Sequence, residues 1–484
     1  MLLLLSLVLA QSPGAMLQKV DRQEDLNDLL EEHFDAVCGA LKSGQRSLGP
    51  ALTDADAHPA LKEIVWASAC SLRALKLQGT GKKRTVHFLW EVEGRDATGA
   101  RLSERGEADG EVRQEKGQWR ISAFRDGPRQ TVRREGPRFV ERAQEAGLVL
   151  PPRTEEQTMA ELQSGGLTVR DFDGDGRPDV VALAGRRAWL FRNAKAGFGR
   201  EPLLEAPKGK VLTSAIAGDF DEDGDPDLVV TAFRDVASWV FRNDSGKLVE
   251  VGRLAPGGRL QSGVASDFDS DGHLDLVLLS YPLGTTLPSD PLKAENGDPL
   301  VFLKGNGKLG FAAWPQLAKG LTHRWSLAAM SVDLLGQGRP QLYVANDFGD
   351  NDLWRFQSDG GVQNVAAEYG LADPGNGMSV DVGDLDNDGR MDLYVANMFS
   401  KAGTRVLAGA STKPEVMARL QKFARGNTLY FSESDGGYVE AAQALGVNRG
   451  LWAWGSLVAD LDDDGRLEVA VANGFYSHPK RKDL

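Results

Sequence analysis

Residues 171–181 read DFDGDGRPDVV. The phrase returns as DFDEDGDPDLVV at 219–230 and as DFDSDGHLDLVL at 267–278, 48 residues further on each time. Three more copies follow: DLLGQGRPQLYV at 333–344, DLDNDGRMDLYV at 384–395 and DLDDDGRLEVAV at 460–471. Secondary echoes keep step. Trp189-Leu190-Phe191-Arg192-Asn193 returns as Trp239-Val240-Phe241-Arg242-Asn243, and Val-Ala-Asn recurs at Val344, Val395 and Val471. Internal repetition therefore decides the fold.

Each repeat reads as strand, Asp-rich loop, strand, turn, aromatic strand, turn, strand. After the first loop the apolar runs Val180–Leu183 and Ala188–Phe191 are short, β-branched or aromatic, and bounded by Gly or Asn. Four short strands in each unit of roughly 40–50 residues is the pattern of a β-propeller blade. A lone blade cannot cover both of its faces, so blades stack, and closing the ring removes exposed edges. The fold class expected is mainly β: a propeller of six four-stranded blades, or seven if one lacks a loop. Two intervals are longer. One holds the Pro/Gly-rich insertion YPLGTTLPSDPLKAENGDP at 281–299, the other a helical pattern over Lys413–Phe423. The stretch Leu467–Ala472 is the one clear strand after the sixth loop, and Arg138–Gln144 is expected to pair into that final blade and close the ring.

The loops carry the chemistry. In the first, carboxylates stand at positions 1, 3, 5 and 9, namely Asp171, Asp173, Asp175 and Asp179, with Gly176 at the turn and the carbonyl of Arg177 at position 7. Calcium takes six to eight hard oxygens in a flexible cage, and this loop supplies them; magnesium demands tighter octahedral geometry. Zinc prefers Cys and His, and the six His lack ligand spacing. The second loop offers Asp219, Asp221, Asp223, Asp225 and Asp227, the third Asp267, Asp269, Asp271, His273 and Asp275. The fifth offers Asp384, Asp386, Asp388, Arg390 and Asp392, the sixth Asp460, Asp462, Asp464, Arg466 and Glu468. The residues at position 7 enter through their backbone carbonyls. The fourth loop keeps Asp333 but has Leu335, Gln337 and Gln341 in place of carboxylates, so an ordinary turn without metal is expected there. About five Ca²⁺ ions are implied, and they would bring the formal charge of −13 to about −3.

The rest of the chain divides by texture. Residues 1–15, MLLLLSLVLAQSPGA, are uncharged, with an apolar run from Leu2 to Ala10 too short to span a bilayer, and read as a secretory signal. Residues 16–135 form a small α+β roll. An amphipathic helix lies over 20–43, carried by Leu26, Leu29, Leu30, Phe34, Val37 and Leu41. Strands are expected at Ser71–Leu77, Thr85–Glu93, Glu104–Arg113 and Gln118–Phe124. Cys38 and Cys70 either pair in an oxidising compartment or stay as buried thiols. Residues 136–484 are the propeller. The acidic balance argues against nucleic acid as a partner, and no segment reads as transmembrane.

The Asp loops and blade pattern resemble the FG-GAP/VCBS repeat, as in the integrin α-subunit propeller. Residues 377–400 (GMSVDVGDLDNDGRMDLYVANMFS), 425–442 (RGNTLYFSESDGGYVEAA), 452–475 (WAWGSLVADLDDDGRLEVAVANGF) and 139–148 (FVERAQEAGL) resemble ASPIC/UnbV-type proteins, the group that includes cartilage acidic protein. No C-terminal ASPIC module is expected after the sixth loop. The ending GQWRISAFRDG of the first region resembles the last strand of SnoaL-like, cystatin-like rolls. The propeller resemblance implies secretion, calcium binding and interaction or adhesion.

Signatures of common enzymes are missing: there is no HExxH, GxSxG, GxxxxGK[ST] or helix-opening GxGxxG. The leading expectation is therefore an exported calcium-binding scaffold, secreted, periplasmic or at the cell surface, whose partner is a protein or glycan. One alternative is a secreted polysaccharide lyase or hydrolase with its site at the channel mouth. Another is ligand binding by the N-terminal roll, with the propeller as its platform. Asn346, Asp347, Asp350 and Asp352 are candidates for a second polar or metal site, and Trp452 and Trp454 for stacking on sugars; a polar turn and blade packing are the plainer readings.

Overall fold

A computed structural model of the chain describes residues 66–78, 83–95, 100–115, 118–134, 140–151, 165–233, 238–255, 259–282, 288–290, 293–314, 317, 321–357, 360–399 and 413–474. The expected signal segment, the helix over 20–43 and Cys38 lie outside these residues, and with Cys38 the question of its pairing. The described residues divide into two compact units, one up to Glu141 and one from Arg142 onward.

The first unit is a four-stranded antiparallel meander: β1 (Trp66–Gln78), β2 (Lys83–Arg95), β3 (Arg101–Glu115) and β4 (Gln118–Arg134), in that order. Each strand covers its expected position and runs longer. Val86, Val92, Ala100 and Leu102 are its buried apolar side chains among those described.

The second unit repeats one sheet. β5 (Gly166–Arg170), β6 (Asp179–Ala184), β7 (Arg187–Ala194) and β8 (Gly197–Glu205) form an up-and-down sheet in sequence order. The next sheet is β9 (Val211–Gly218), β10 (Asp227–Phe233), β11 (Ser238–Asp244) and β12 (Lys247–Leu254). Then come β13 (Leu260–Ser266), β14 (Asp275–Ser280), β15 (Val301–Gly305) and β16 (Phe311–Ala313). The fourth sheet is β17 (Trp325–Val332), β18 (Gln341–Asp347), β19 (Asp352–Phe356) and β20 (Val362–Asn364). The fifth is β21 (Gly377–Gly383), β22 (Asp392–Asn397), β23 (Thr428–Ser432) and β24 (Tyr438–Glu440). The sixth has two described strands, β25 (Ala453–Ala459) and β26 (Glu468–Asn473). First strands of consecutive sheets pack side by side, β5 on β9, β9 on β13, and so on to β21 on β25. The arrangement is consistent with a β-propeller.

The second strand of each sheet explains the stacking. β10, β14, β18 and β22 are buried at every residue. Side chains alternate between the faces of a strand, so a strand buried on both faces is apolar along its middle and carries polar residues only near its ends and where they find hydrogen-bond partners. Leu228 and Val230 pack with Val181 and Leu183 of the sheet before, while Val229 packs with Leu276 and Leu278 of the sheet after. Val277 and Leu279 then meet Leu342 and Val344, Tyr343 and Ala345 meet Leu393 and Val395, and Tyr394 meets Val469 and Val471. Each such fully buried Val or Leu contributes about 1.5–3 kcal/mol. At the two ends of the series the pattern stops. Leu167 on β5 is 66% exposed, and Leu457 and Trp454 on β25 are 49% and 47% exposed.

The expected helix is present as α2 (Pro414–Ala424), started by Pro414 and burying Leu420, Phe423 and Ala424. The expectation for Arg138–Gln144 is corrected in its described part. Residues 140–142 form no strand, and the chain then turns through the short helix α1 (Ala143–Ala146). Gly147 ends that helix at φ 82°, and a Cβ there would sit 2.4 Å from the Phe198 carbonyl oxygen. Leu148 packs with Trp189 and Phe198, so this segment lies against the first sheet, not the last.

Candidate metal centres

Every Asp-rich loop joins the first strand of a sheet to its second, and all six have one backbone design. The position-1 carboxylate receives two loop N–H groups. Asp171 Oδ1 accepts from Asp175 at 3.1 Å and Oδ2 from Gly176 at 2.7 Å. Asp219, Asp267, Asp333, Asp384 and Asp460 repeat this. The position-5 carboxylate accepts the N–H of position 7, as Asp223 does from Asp225 at 2.9 Å. The position-9 side chain ties the loop start to the sheet: Asp227 Oδ2 accepts from Phe220 at 2.9 Å and Oδ1 from Asn243 at 2.8 Å.

The turn needs two left-handed residues. Position 6 is Gly in all six loops, with φ from 71° at Gly338 to 95° at Gly224. Position 4 is also left-handed, at Gly174, Glu222, Ser270, Gly336, Asn387 and Asp463. That second requirement leaves no single-residue signature and is missed by sequence reading; its one trace is that these side chains are small or polar.

In five loops this design gathers carboxylates, with three bringing one oxygen each within 4.8 Å of one another. The triples are Asp171, Asp173, Asp179; Asp219, Asp221, Asp227; Asp267, Asp269, Asp271; Asp384, Asp386, Asp392; and Asp460, Asp462, Asp464. Four of the expected ligands in each loop thus become a triple plus one outlier. Asp175 and Asp388 are outside and pair with their own position-7 arginines, Arg177 and Arg390. Asp275 is outside while accepting from Phe268 at 3.1 Å and Gly305 at 2.9 Å, and Glu468 while accepting from Leu461 at 2.8 Å. Asp223 is the outlier of the second loop. Arg466 enters no triple. His273 turns its ring to Glu222 of the preceding loop.

The charges in these loops are strained in the expected sense. Burial, opposed by backbone N–H donors, pushes Asp227 and Asp275 up to about 6. Burial and then the neighbouring Asp223 raise Asp221, whereas the Gly176 N–H holds Asp171 low. Asp221 Oδ1 and Asp269 Oδ1 are buried with no hydrogen-bond partner. Buried anionic oxygens without a donor are costly unless a cation answers them. The donor set is all hard oxygen, and it fits Ca²⁺ better than a softer metal.

The fourth loop gathers no such group among the described residues. The second candidate cluster is a buried polar core. Asp347 accepts from Tyr281 Oη and from Asn376 Nδ2, both at 2.6 Å. Asp352 accepts from Asn346 at 3.0 Å and Asn364 at 2.6 Å and faces Arg324, while Asp350 pairs with Arg419 of α2 at 3.0 Å. His323 Nδ1 is 3.2 Å from the Gly297 carbonyl. Trp454 donates to the Gly474 carbonyl at 2.7 Å, and Trp452 is half-buried.

A family model described as the FG-GAP-like repeat matches residues 171–230, 219–278 and 333–395. The chain carries FG-GAP-like repeats. The matches begin on position 1 of the first, second and fourth loops, so the FG-GAP-like repeat spans a loop whether or not it keeps its carboxylates. No curated protein matches the chain. Among solved structures, the crystal structure of the V. cholerae biofilm matrix protein Bap1 matches at 15% identity with a TM-score of 0.28, over 57% of this chain and 38% of that one. The chain thus covers well under half of that protein's length. No helix among the described residues is long and apolar enough to cross a membrane.

Proposed function

We propose that this chain is an exported, calcium-stabilised FG-GAP-like β-propeller that acts as a binding or adhesion scaffold for a protein or glycan outside the cytoplasm. The observation that carries the reading is the set of five carboxylate triples, two of them with buried oxygens that no donor satisfies. When bound, Ca²⁺ would supply charge neutralisation and cross-links between loop positions. The chain's own residues do the rest: Asp at position 1 folds the loop, positions 3, 5 and 9 offer further oxygens, and position 9 anchors the loop to its sheet. The ASPIC/UnbV type is supported by the phrases at 377–400, 425–442 and 452–475. The apolar run at Leu2–Ala10 supports export, and the GQWRISAFRDG ending supports a SnoaL-like roll before the propeller.

Thermal melts of the full chain in excess calcium and in EGTA test the metal reading. A ligand that binds only the native state at a thousandfold excess over Kd stabilises it by about 4 kcal/mol. The expected result is a large loss of Tm in EGTA, restored by Ca²⁺ and not by equal Mg²⁺. An unchanged Tm would overturn the calcium reading. A glycan and protein array run with and without EGTA then identifies the partner class.

A further inference from the structure

The five acidic loops look equivalent in sequence, but the structure gives them unequal internal charge. The third-strand residue beside each loop makes the difference. Leu303 pairs with Leu276 as Phe241 pairs with Leu228, so Lys304 and Arg242 hold the same place in consecutive sheets. Arg242 pairs with Asp244 at 2.5 Å and acts on Asp221 and Asp223 of its loop only through space. Lys304 turns in. Its ammonium contacts Asp269 and lies 2.9 Å from Asp271 Oδ2, with the Trp314 ring behind it at 5.3 Å. Arginines also touch other loops, but Arg177 and Arg390 each pair with the outlying position-5 carboxylate, and Arg192 with Asp179 at position 9. Lys304 instead spans two members of one triple.

We propose that Lys304 is the built-in counter-cation of the third loop, so that a divalent cation enters there only by displacing the lysine. The inference rests on the calcium reading of the loops. One ammonium lowers the charge offered by four carboxylates from −4 to −3, and ligand charge count sets calcium affinity in such loops. The neighbouring second loop has a fifth carboxylate, Asp225, and its equivalent cation, Arg242, is paired with Asp244 instead of with a member of the triple. Arg192 touches one member of the first triple, Asp179, but among the described residues only Lys304 spans two members, so the third site is the one whose cation must displace a bridging side chain, and Lys304 sets its affinity. Displacement is feasible because the lysine is partly exposed and its head can move into water.

Calorimetric titration of the EGTA-stripped full chain with CaCl₂ tests this. The wild type is expected to show one site about tenfold weaker than the rest. Lys304→Met should tighten that site about tenfold, Lys304→Arg should leave it weak, and Asp269→Asn should abolish it while sparing the others. Arg242→Met, the equivalent change one sheet earlier, should leave the weak class unchanged. Terbium emission sensitised through Trp314 reports the same loop, and its half-saturation should shift with Lys304→Met but not with Arg242→Met. Should the Met variant misfold, Lys304→Gln gives the same reading. Equal affinities throughout, or a weak site that Lys304→Met and Lys304→Gln leave unchanged, overturns the counter-cation role. A chain that binds no calcium at any loop sinks the metal reading itself, which is a different outcome.

Discussion

Gln341 Oε1 accepts the backbone N–H of Leu335, position 3 of its loop, at 3.0 Å, one residue further on than the position-2 N–H of Phe220 that Asp227 accepts at 2.9 Å. An uncharged amide thus does the structural work of the position-9 carboxylate. The fourth loop keeps Asp333 at position 1, with its bonds to Gln337 and Gly338 at 2.9 and 2.6 Å, and so keeps the turn. Loop shape and loop charge are separable: positions 1 and 9 make the turn, and positions 3 and 5 add the anionic density that calls for a cation.

Gln341→Ala should therefore destabilise the chain by about 1–3 kcal/mol, since the buried side chain is lost and the Leu335 N–H loses its partner. The variant Leu335→Asp, Gln337→Asp, Gln341→Asp should raise the calcium stoichiometry by one. Chemical denaturation reads the first and elemental analysis of dialysed protein the second. A stoichiometry that stays constant would mean that loop charge is not what creates a site.

Two glycines should fail for different reasons. Gly224 has φ 95° and no atom within 4 Å of an added Cβ, so Gly224→Ala costs only backbone strain, about 1–2 kcal/mol. Asn tolerates the left-handed region, so Gly224→Asn should recover much of that loss. At Gly305 an added Cβ would lie 2.0 Å from the Leu274 carbonyl oxygen. Gly305→Ala should cost more, and Asn should not rescue it. Denaturation midpoints of the four variants decide.

Tyr438 links two sheets. Its hydroxyl lies 2.7 Å from the Leu334 carbonyl in the fourth loop and 3.1 Å from the Met391 carbonyl in the fifth. Tyr438→Phe should keep the packing and lose about 1–2 kcal/mol through the unpaired carbonyls. Hydrogen exchange should quicken around both loops, and a change confined to β24 would argue against a link between sheets.

Asp347 gives a pH signature. Burial raises its pKa above the ordinary carboxylate value, against the hydrogen bonds from Tyr281 and Asn376. The native state then binds a proton more readily than the unfolded state, so this residue's contribution to stability grows as pH falls through the raised native value toward about 3.9. Relative to Asp347→Asn, the wild type should gain Tm as the pH is lowered from 7 toward about 4. A constant difference across that range would show that Asp347 does not titrate there.

How much of this was legible in the sequence depends on distance along the chain. The Asp loops fit within nine residues, and the doubly buried second strands show as unbroken apolar runs such as Leu228-Val229-Val230. The repeat, the strand order, the position-6 glycines and helix α2 follow from such local patterns, because turn torsions and strand alternation are set by neighbours. Contacts between distant residues are not written locally. Only the tertiary structure decided that Lys304, 35 residues after Asp269, enters the third loop while Arg242 pairs with Asp244. The segment FLKG holds Lys where LFRN and VFRN hold Arg, and that difference was the one visible trace. In the same way Asn346, Asp347 and Asp352 read as a polar turn or a ligand cluster, while partners such as Tyr281, Arg324 and Asn376 make them a buried core. A nine-residue pattern can specify a loop and its charge; which side chain answers that charge depends on which strands the fold sets beside it.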